Sequence, residues 1–115
     1  MSHYLIELYT PKSAWLALDN KERHQFFEAI AKGMSALSEL GIEAIAMGKV
    51  DSYKPYAAEQ PFFAIWQLPN DEALNALLAG IAAAGWHDYF NTVNAAGLGV
   101  DLTTHLEQLA AIKKT

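Results

Sequence analysis

The sequence predicts an α+β fold, a four-stranded antiparallel sheet with two amphipathic helices on one face, in the order βαββαβ plus a C-terminal helix. Short runs of aliphatic and aromatic residues alternate with two longer segments whose apolar residues recur at helical spacing. Capping and stop residues fall at the joins between them. At 115 residues the chain has the usual size of one domain, large enough to bury a core without disulfides or a structural metal. A single domain over residues 1–115 is therefore expected.

Residues Tyr4 to Tyr9 alternate apolar types with Glu7 and are rich in β-formers, which predicts the first strand. Thr10-Pro11 is expected to stop it, with Thr10 capping and Pro11 opening a helical turn through Trp15 and Leu16. Asp19 with Glu22 makes a capping-box pattern, and Phe26, Phe27, Ile30, Met34, Leu37 and Leu40 then form one stripe of a helix that Gly41 ends. Ile42 to Val50 reads as the second strand and Asp51 to Pro61, with its prolines and polar residues, as a loop. Phe62 to Leu68 is the third strand. Pro69-Asn70-Asp71-Glu72 supplies a stop, a cap and first-turn acids for a helix carrying Leu74, Leu77, Leu78 and Ile81 and ending at Gly85. The fourth strand is placed within Trp86 to Asn94, with Gly97 and Gly99 breaking the chain after it. Asp101 or Thr103 caps a last helix through Leu102, Leu106, Leu109 and Ile112.

Composition removes several function classes. There is no cysteine, so disulfides, thiolate nucleophiles and cysteine zinc sites are excluded. Eight basic against thirteen acidic residues give a net charge of -5, which opposes binding to a phosphate backbone, and no nucleic-acid partner is expected. Lys113-Lys114 is read as a solvated end. No run approaches the ~20 apolar residues of a membrane span, and the first residues lack a basic and then apolar signal, so no membrane partner and a cytoplasmic location are expected. His3, His24, His87 and His105 show no short ligand spacing, and no metal is expected. Gly97-Leu98-Gly99 lacks the third glycine of a dinucleotide fingerprint, no phosphate-loop lysine follows, and no cofactor is expected. A Gly-x-Ser-x-Gly elbow is also missing, which disfavours serine hydrolase chemistry.

Side chains alternate across a sheet, so residues of like parity share a face. The purely apolar sets, Tyr4, Ile6 and Leu8 with Phe62, Ala64, Trp66 and Leu68, are expected under the helices. That assignment leaves Leu5, Glu7 and Tyr9 with Phe63, Ile65 and Gln67 on the uncovered face, too apolar for water and suited to a second copy of the sheet. A homodimer is the expected assembly.

This order of elements, with its aromatic strands and sheet-to-sheet contact, resembles the dimeric α+β barrel superfamily of ferredoxin-like folds over nearly the whole chain. The stretch Tyr4-Leu5-Ile6-Glu7-Leu8-Tyr9-Thr10-Pro11-Lys12 and the block Gly85-Trp86-His87-Asp88-Tyr89-Phe90 with Val93-Asn94-Ala95-Ala96-Gly97 are similar to a small uncharacterised bacterial family. Its relatives include antibiotic-biosynthesis-type monooxygenases and EthD-like, YCII-like, muconolactone-isomerase-like and darcynin-like proteins. The resemblance implies the fold and dimerisation, since chemistry differs among proteins of one fold. Some cofactor-free monooxygenases of the superfamily set Trp, Tyr and Asn around an aromatic substrate, and Trp66, Tyr89 and Asn91 match by type.

Two residues are candidate acid/base groups. His87 brings an imidazole, a side chain able to take and give protons, beside Asp88 and two aromatic rings, although His87 and Asp88 equally suit a solvated corner with Trp86 and Phe90 packed below. Glu7 is a carboxylate on an apolar strand, fitted either to proton transfer or to a bond across the dimer interface, with Gln67 as a neighbour on strand three and His3 of like parity. Tyr9, Trp66, Gln67, Tyr89 and Asn91 are the candidate ligand-binding residues. Tyr53, Tyr56, Trp15 and Trp66 are weighed as an aromatic pocket under the 51–61 loop, against the commoner role of such rings as core. The expected function is binding of a small apolar or aromatic organic molecule, with cofactor-free acid/base or oxygenase chemistry. The alternative is a dimeric binding or assembly module without turnover.

Overall fold

The computed structural model describes residues 2–114. Four strands, β1 (His3–Pro11), β2 (Glu43–Lys49), β3 (Phe62–Leu68) and β4 (Phe90–Leu98), form one antiparallel sheet in the order β2-β3-β1-β4. Helices α1 (Ser13–Leu16), α2 (Asn20–Leu37), α3 (Asp71–Ala83), α4 (Trp86–Tyr89) and α5 (Leu102–Ala110) complete the ferredoxin-like order. The local signals explain the long helices. The Asp19 carboxylate accepts from the Glu22 N–H at 2.8 Å while the Asp19 N–H donates to the Glu22 carboxylate at 3.1 Å, a full capping box. A 3-10 turn (Ser38–Leu40) follows α2, and Gly41 then takes the left-handed φ of 78° that favours glycine. Asn70 caps α3 and Asp101 caps α5 through side-chain bonds to N–H groups three residues on, each 2.8 Å long.

Three expected boundaries move. Thr10 and Pro11 lie inside β1 and cap nothing; α1 begins at Ser13 after an extended Lys12. β3 ends opposite Tyr9, so Pro11 has a partner strand on one side only and its missing N–H is tolerated. The segment Trp86 to Tyr89 is a helical turn, entered through Gly85 at φ 85°, and β4 starts at Phe90. Gly97 does not break the chain but pairs with Tyr4 inside β4.

The larger correction concerns the faces of β1. Residues paired across antiparallel strands share a face, and the register pairs Leu5 with Trp66, Glu7 with Ala64 and Tyr9 with Phe62. Leu5, Glu7 and Tyr9 therefore lie under the helices, beside the β3 set expected there. Tyr4, Ile6 and Leu8 occupy the open face with Phe63, Ile65 and Gln67, the reverse of the parity expectation for β1. Leu5 is fully buried against Leu68, Ala73, Leu74 and Leu77, which ties α3 to the sheet. A second, aromatic cluster closes the other end. Trp15 packs on Phe26, Phe27, Tyr89 and Phe90 at centroid separations of 4.9 to 5.7 Å, and the Arg23 guanidinium stacks over its ring and donates to its carbonyl.

Candidate functional site

Between these clusters the sheet and helices do not meet. Small residues face one another there, Ala64 on β3, Gly33 on α2 and Gly80 and Ala83 on α3, and a cavity of about 490 Å³ remains. Its floor is Glu7 and Tyr9 of β1 with Trp66 of β3; Phe27, Ile30 and Met34 of α2 and Trp86 of α4 enclose it.

Glu7 is the buried acid of this cavity, only 4% exposed. Trp66, on the diagonal position of the neighbouring strand, donates its indole Nε1–H to Glu7 Oε1 at 2.7 Å. Among the described residues that is the one side-chain hydrogen bond the carboxyl receives, and no cation forms a salt bridge with it. Burial pushes the Glu7 pKa above the ordinary 4.5, opposed by the Trp66 bond and by the positive field of His87. The Tyr9 phenol is raised above 10.0 as well, first by burial and then by the Glu7 charge. Tyr9 is held in place by rings, edge-on to Trp86 at 5.1 Å and to Phe90 at 5.7 Å. Trp86 in turn donates Nε1–H to Thr92 Oγ1 at 3.2 Å, which fixes its ring as a wall. A carboxyl held this way can accept a hydrogen bond from a guest, or, once protonated, donate one.

The expected site residues separate into groups. Glu7, Tyr9 and Trp66 come together at the cavity. His87 lies in α4, exposed, with its carbonyl accepting from Lys12 Nζ at 3.1 Å; it reaches Glu7 through its field and lines no part of the cavity. Tyr89 is on α4 rather than a strand and packs against Trp15 and Phe26. Gln67 and Asn91 sit on the open face, Gln67 donating to Ser2 Oγ at 2.8 Å and Asn91 exposed opposite Thr10. Gln67 is thus no neighbour of the Glu7 carboxyl, because adjacent residues of a strand point to opposite sides. No aromatic pocket forms under the 51–61 loop: Tyr53 and Tyr56 are fully exposed and Trp15 is core. Of the residues that open the cavity, Gly33, Gly80 and Ala64, only the two glycines carry a sequence signal. Each sits inside a helical pattern, where glycine costs about 1 kcal/mol relative to alanine; Ala64, in a strand, carries none.

The fold is shared with several solved structures at low sequence identity. A chlorite dismutase from Candidatus Nitrospira defluvii superposes with a TM-score of 0.67 at 13% identity, over 94% of this chain and 44% of that one. A heme-binding protein from Thermus thermophilus gives 0.58 at 13% identity, over 87% of this chain and 44% of that one. The chain thus spans less than half the length of either. A dimeric ferredoxin-like protein of unknown function from Jannaschia sp. CCS1 is matched along its whole length, with a TM-score of 0.53 at 17% identity over 87% of this chain and 100% of that one. No curated protein matches the sequence significantly. The chain belongs to a family of unknown function, DUF6616, whose model matches residues 2–112.

Proposed function

We propose that this member of the DUF6616 family is a homodimer that binds a small apolar or aromatic organic molecule in the cavity between sheet and helices, and that Glu7 exchanges a proton with it. The observation that carries the reading is one buried carboxyl set into walls that are otherwise aromatic, aliphatic or glycine. Ligand cavities of roughly 300–1,000 Å³ combine apolar walls with a few placed polar groups, and this one fits that description. The raised pKa moves Glu7 toward the range in which a carboxyl trades protons near neutrality. Tyr9, Trp66 and Trp86 shape the guest's surroundings, and His87 tunes Glu7 from outside. Heme, bound by the Thermus thermophilus neighbour, is a poor fit here, because the lining offers iron no His or Cys, only the ring-packed Tyr9 phenol and the Met34 and Met47 thioethers, and offers the propionates no Lys or Arg.

The dimer part of the proposal rests on the open face. Tyr4, Ile6, Leu8, Phe63 and Ile65 lie together on it, with Ile6 42% and neighbouring Val93 55% exposed. A second copy covers such a surface, as suits the dimeric Jannaschia protein. Sedimentation at high concentration tests it, and a monomer there overturns it. A thermal-shift screen with small aromatic and aliphatic compounds tests the cavity. Hits should raise the melting temperature of the native protein through linkage and leave Gly33→Leu, whose side chain fills the cavity, unmoved. Absence of hits, or equal shifts in both proteins, overturns it in favour of a dimeric module without a ligand. With a hit in hand, Glu7→Gln should remove turnover, and a hit with a neutral head should keep its binding.

A further inference from the structure

We propose that the ligand of this cavity is a protonated amine on an apolar, ring-sized body, held with its ammonium against Glu7 and its body between the helices. The inference rests on the cavity being a ligand site and adds the chemistry of the ligand's head. Among the lining residues Glu7 is the one carboxyl, and none is Lys, Arg or His. An entering anion would meet a like charge and find no counter-ion, so anionic ligands are disfavoured.

A neutral apolar guest leaves a second problem unsolved. A carboxylate offers about four lone-pair sites, and Trp66 Nε1–H serves Oε1. Glu7 lines the cavity and, among the described residues, receives no other side-chain hydrogen bond and no salt bridge from a cation of the chain. A donor that also carries positive charge satisfies both needs. Around that point stand the rings that stabilise cations best: Trp66, bonded to the carboxyl, and Tyr9 with Trp86 edge-on at 5.1 Å. The rest of the wall is aliphatic through Ile30, Met34, Leu37 and Ile81, the last three packed against the cluster around Leu5 and Leu77, and has nothing to pair with a second polar group. The same cavity therefore asks for one charge at Glu7 and hydrocarbon elsewhere.

Three probes with one indole body and different heads test this: tryptamine, tryptophol and indole-3-propionate, titrated calorimetrically against the native protein at neutral pH. Tryptamine should bind at least roughly tenfold more tightly than tryptophol, the size of a charge-assisted hydrogen bond over its loss, and indole-3-propionate should bind weakest. Glu7→Gln should cost tryptamine at least about tenfold and tryptophol less than about threefold, with circular dichroism confirming the fold. Glu7→Asp, which keeps the charge, should retain most of the amine preference. Tryptophol or indole-3-propionate binding as tightly as tryptamine overturns the amine assignment and leaves the cavity reading standing. So does a Glu7→Gln variant with unchanged preference. If none of the three binds at millimolar concentration, both the amine assignment and the cavity reading fall.

Discussion

Helices α2 and α3 lie on the same face of the same sheet, and only the shorter buries side chains against it completely. In α3, 13 residues long, Ala73, Leu74 and Leu77 are buried; in α2, at 18 residues, nothing is. The difference comes from what lies beneath. Under α3 are Leu5 and Leu68, large enough to interdigitate with leucines. Under α2 are Ala64 and a carboxyl, and the helix itself presents Gly33, so Met34 and Leu37 reach only the edge of the cluster around Leu5 and Leu77 while Ile30 and Gly33 border the cavity. One half of the layer holds the fold and the other borders the cavity, and the proposed binding element is thus drawn from the less tightly packed half, as is general for such elements.

The sharpest test compares truncations in the two halves. Leu77→Ala removes a side chain with no exposure at all, and should cost about 2–5 kcal/mol in denaturant unfolding. Ile30→Ala enlarges a void that already exists and should cost under about 1 kcal/mol, since few packing contacts are lost. Equal losses would mean that α2 is packed as tightly as α3, and the division would not hold.

Next in size is Glu7→Gln, read through pH. Because the folded-state pKa is raised, the native protein holds that proton more firmly than the unfolded chain does. The associated stability is fully present below the ordinary 4.5 and is lost as pH rises through the raised folded value. Glutamine cannot ionise and still accepts from Trp66, so the variant should match the native protein in acid and exceed its stability above that window. The Tyr9 phenol, relieved of the Glu7 charge but still buried, should titrate lower than in the native protein and remain above 10.0. Parallel stability curves across the whole range would show that Glu7 is not strained by burial.

Which of these features the sequence disclosed follows from where their signals lie. The α2 and α3 caps, the limits of β3 and the α+β order rest on neighbouring residues, Asp19 with Glu22 and Asn70 with its first-turn acids, and were legible. The face of β1 was not. Both of its parity sets are apolar apart from Glu7, so the charge argued for the outside, whereas pairing with Ala64 puts it inside. Aromatics at Trp86 and Tyr89 likewise imitate a strand, because rings that pack into a cluster have the same composition as rings in a sheet. At the site, Glu7, Tyr9 and Trp66 were named from their chemistry. Gly33, Gly80 and Ala64 were missed because they act by lacking a side chain, and what that leaves open depends on which elements face each other.

Smaller effects sharpen the contrast from the α2 side. A helix without buried side chains leans more on its own ends, so Asp19→Ala should cost about 1 kcal/mol through the lost capping box. The least of the expected changes has the opposite sign. Gly33→Ala replaces a glycine in a helix interior, where a Cβ would meet nothing within 4 Å, and should stabilise by roughly 0.5–1 kcal/mol through propensity alone. At Gly80 the same change sets a Cβ 3.1 Å from Leu37 Cδ1, so the gain should be offset by crowding where α3 approaches α2. A difference between the two alanine variants in thermal unfolding thus measures how far apart the helices stand. If Gly33→Ala destabilises instead, α2 lies closer to the sheet than the cavity requires, and the space assigned to a ligand shrinks with it.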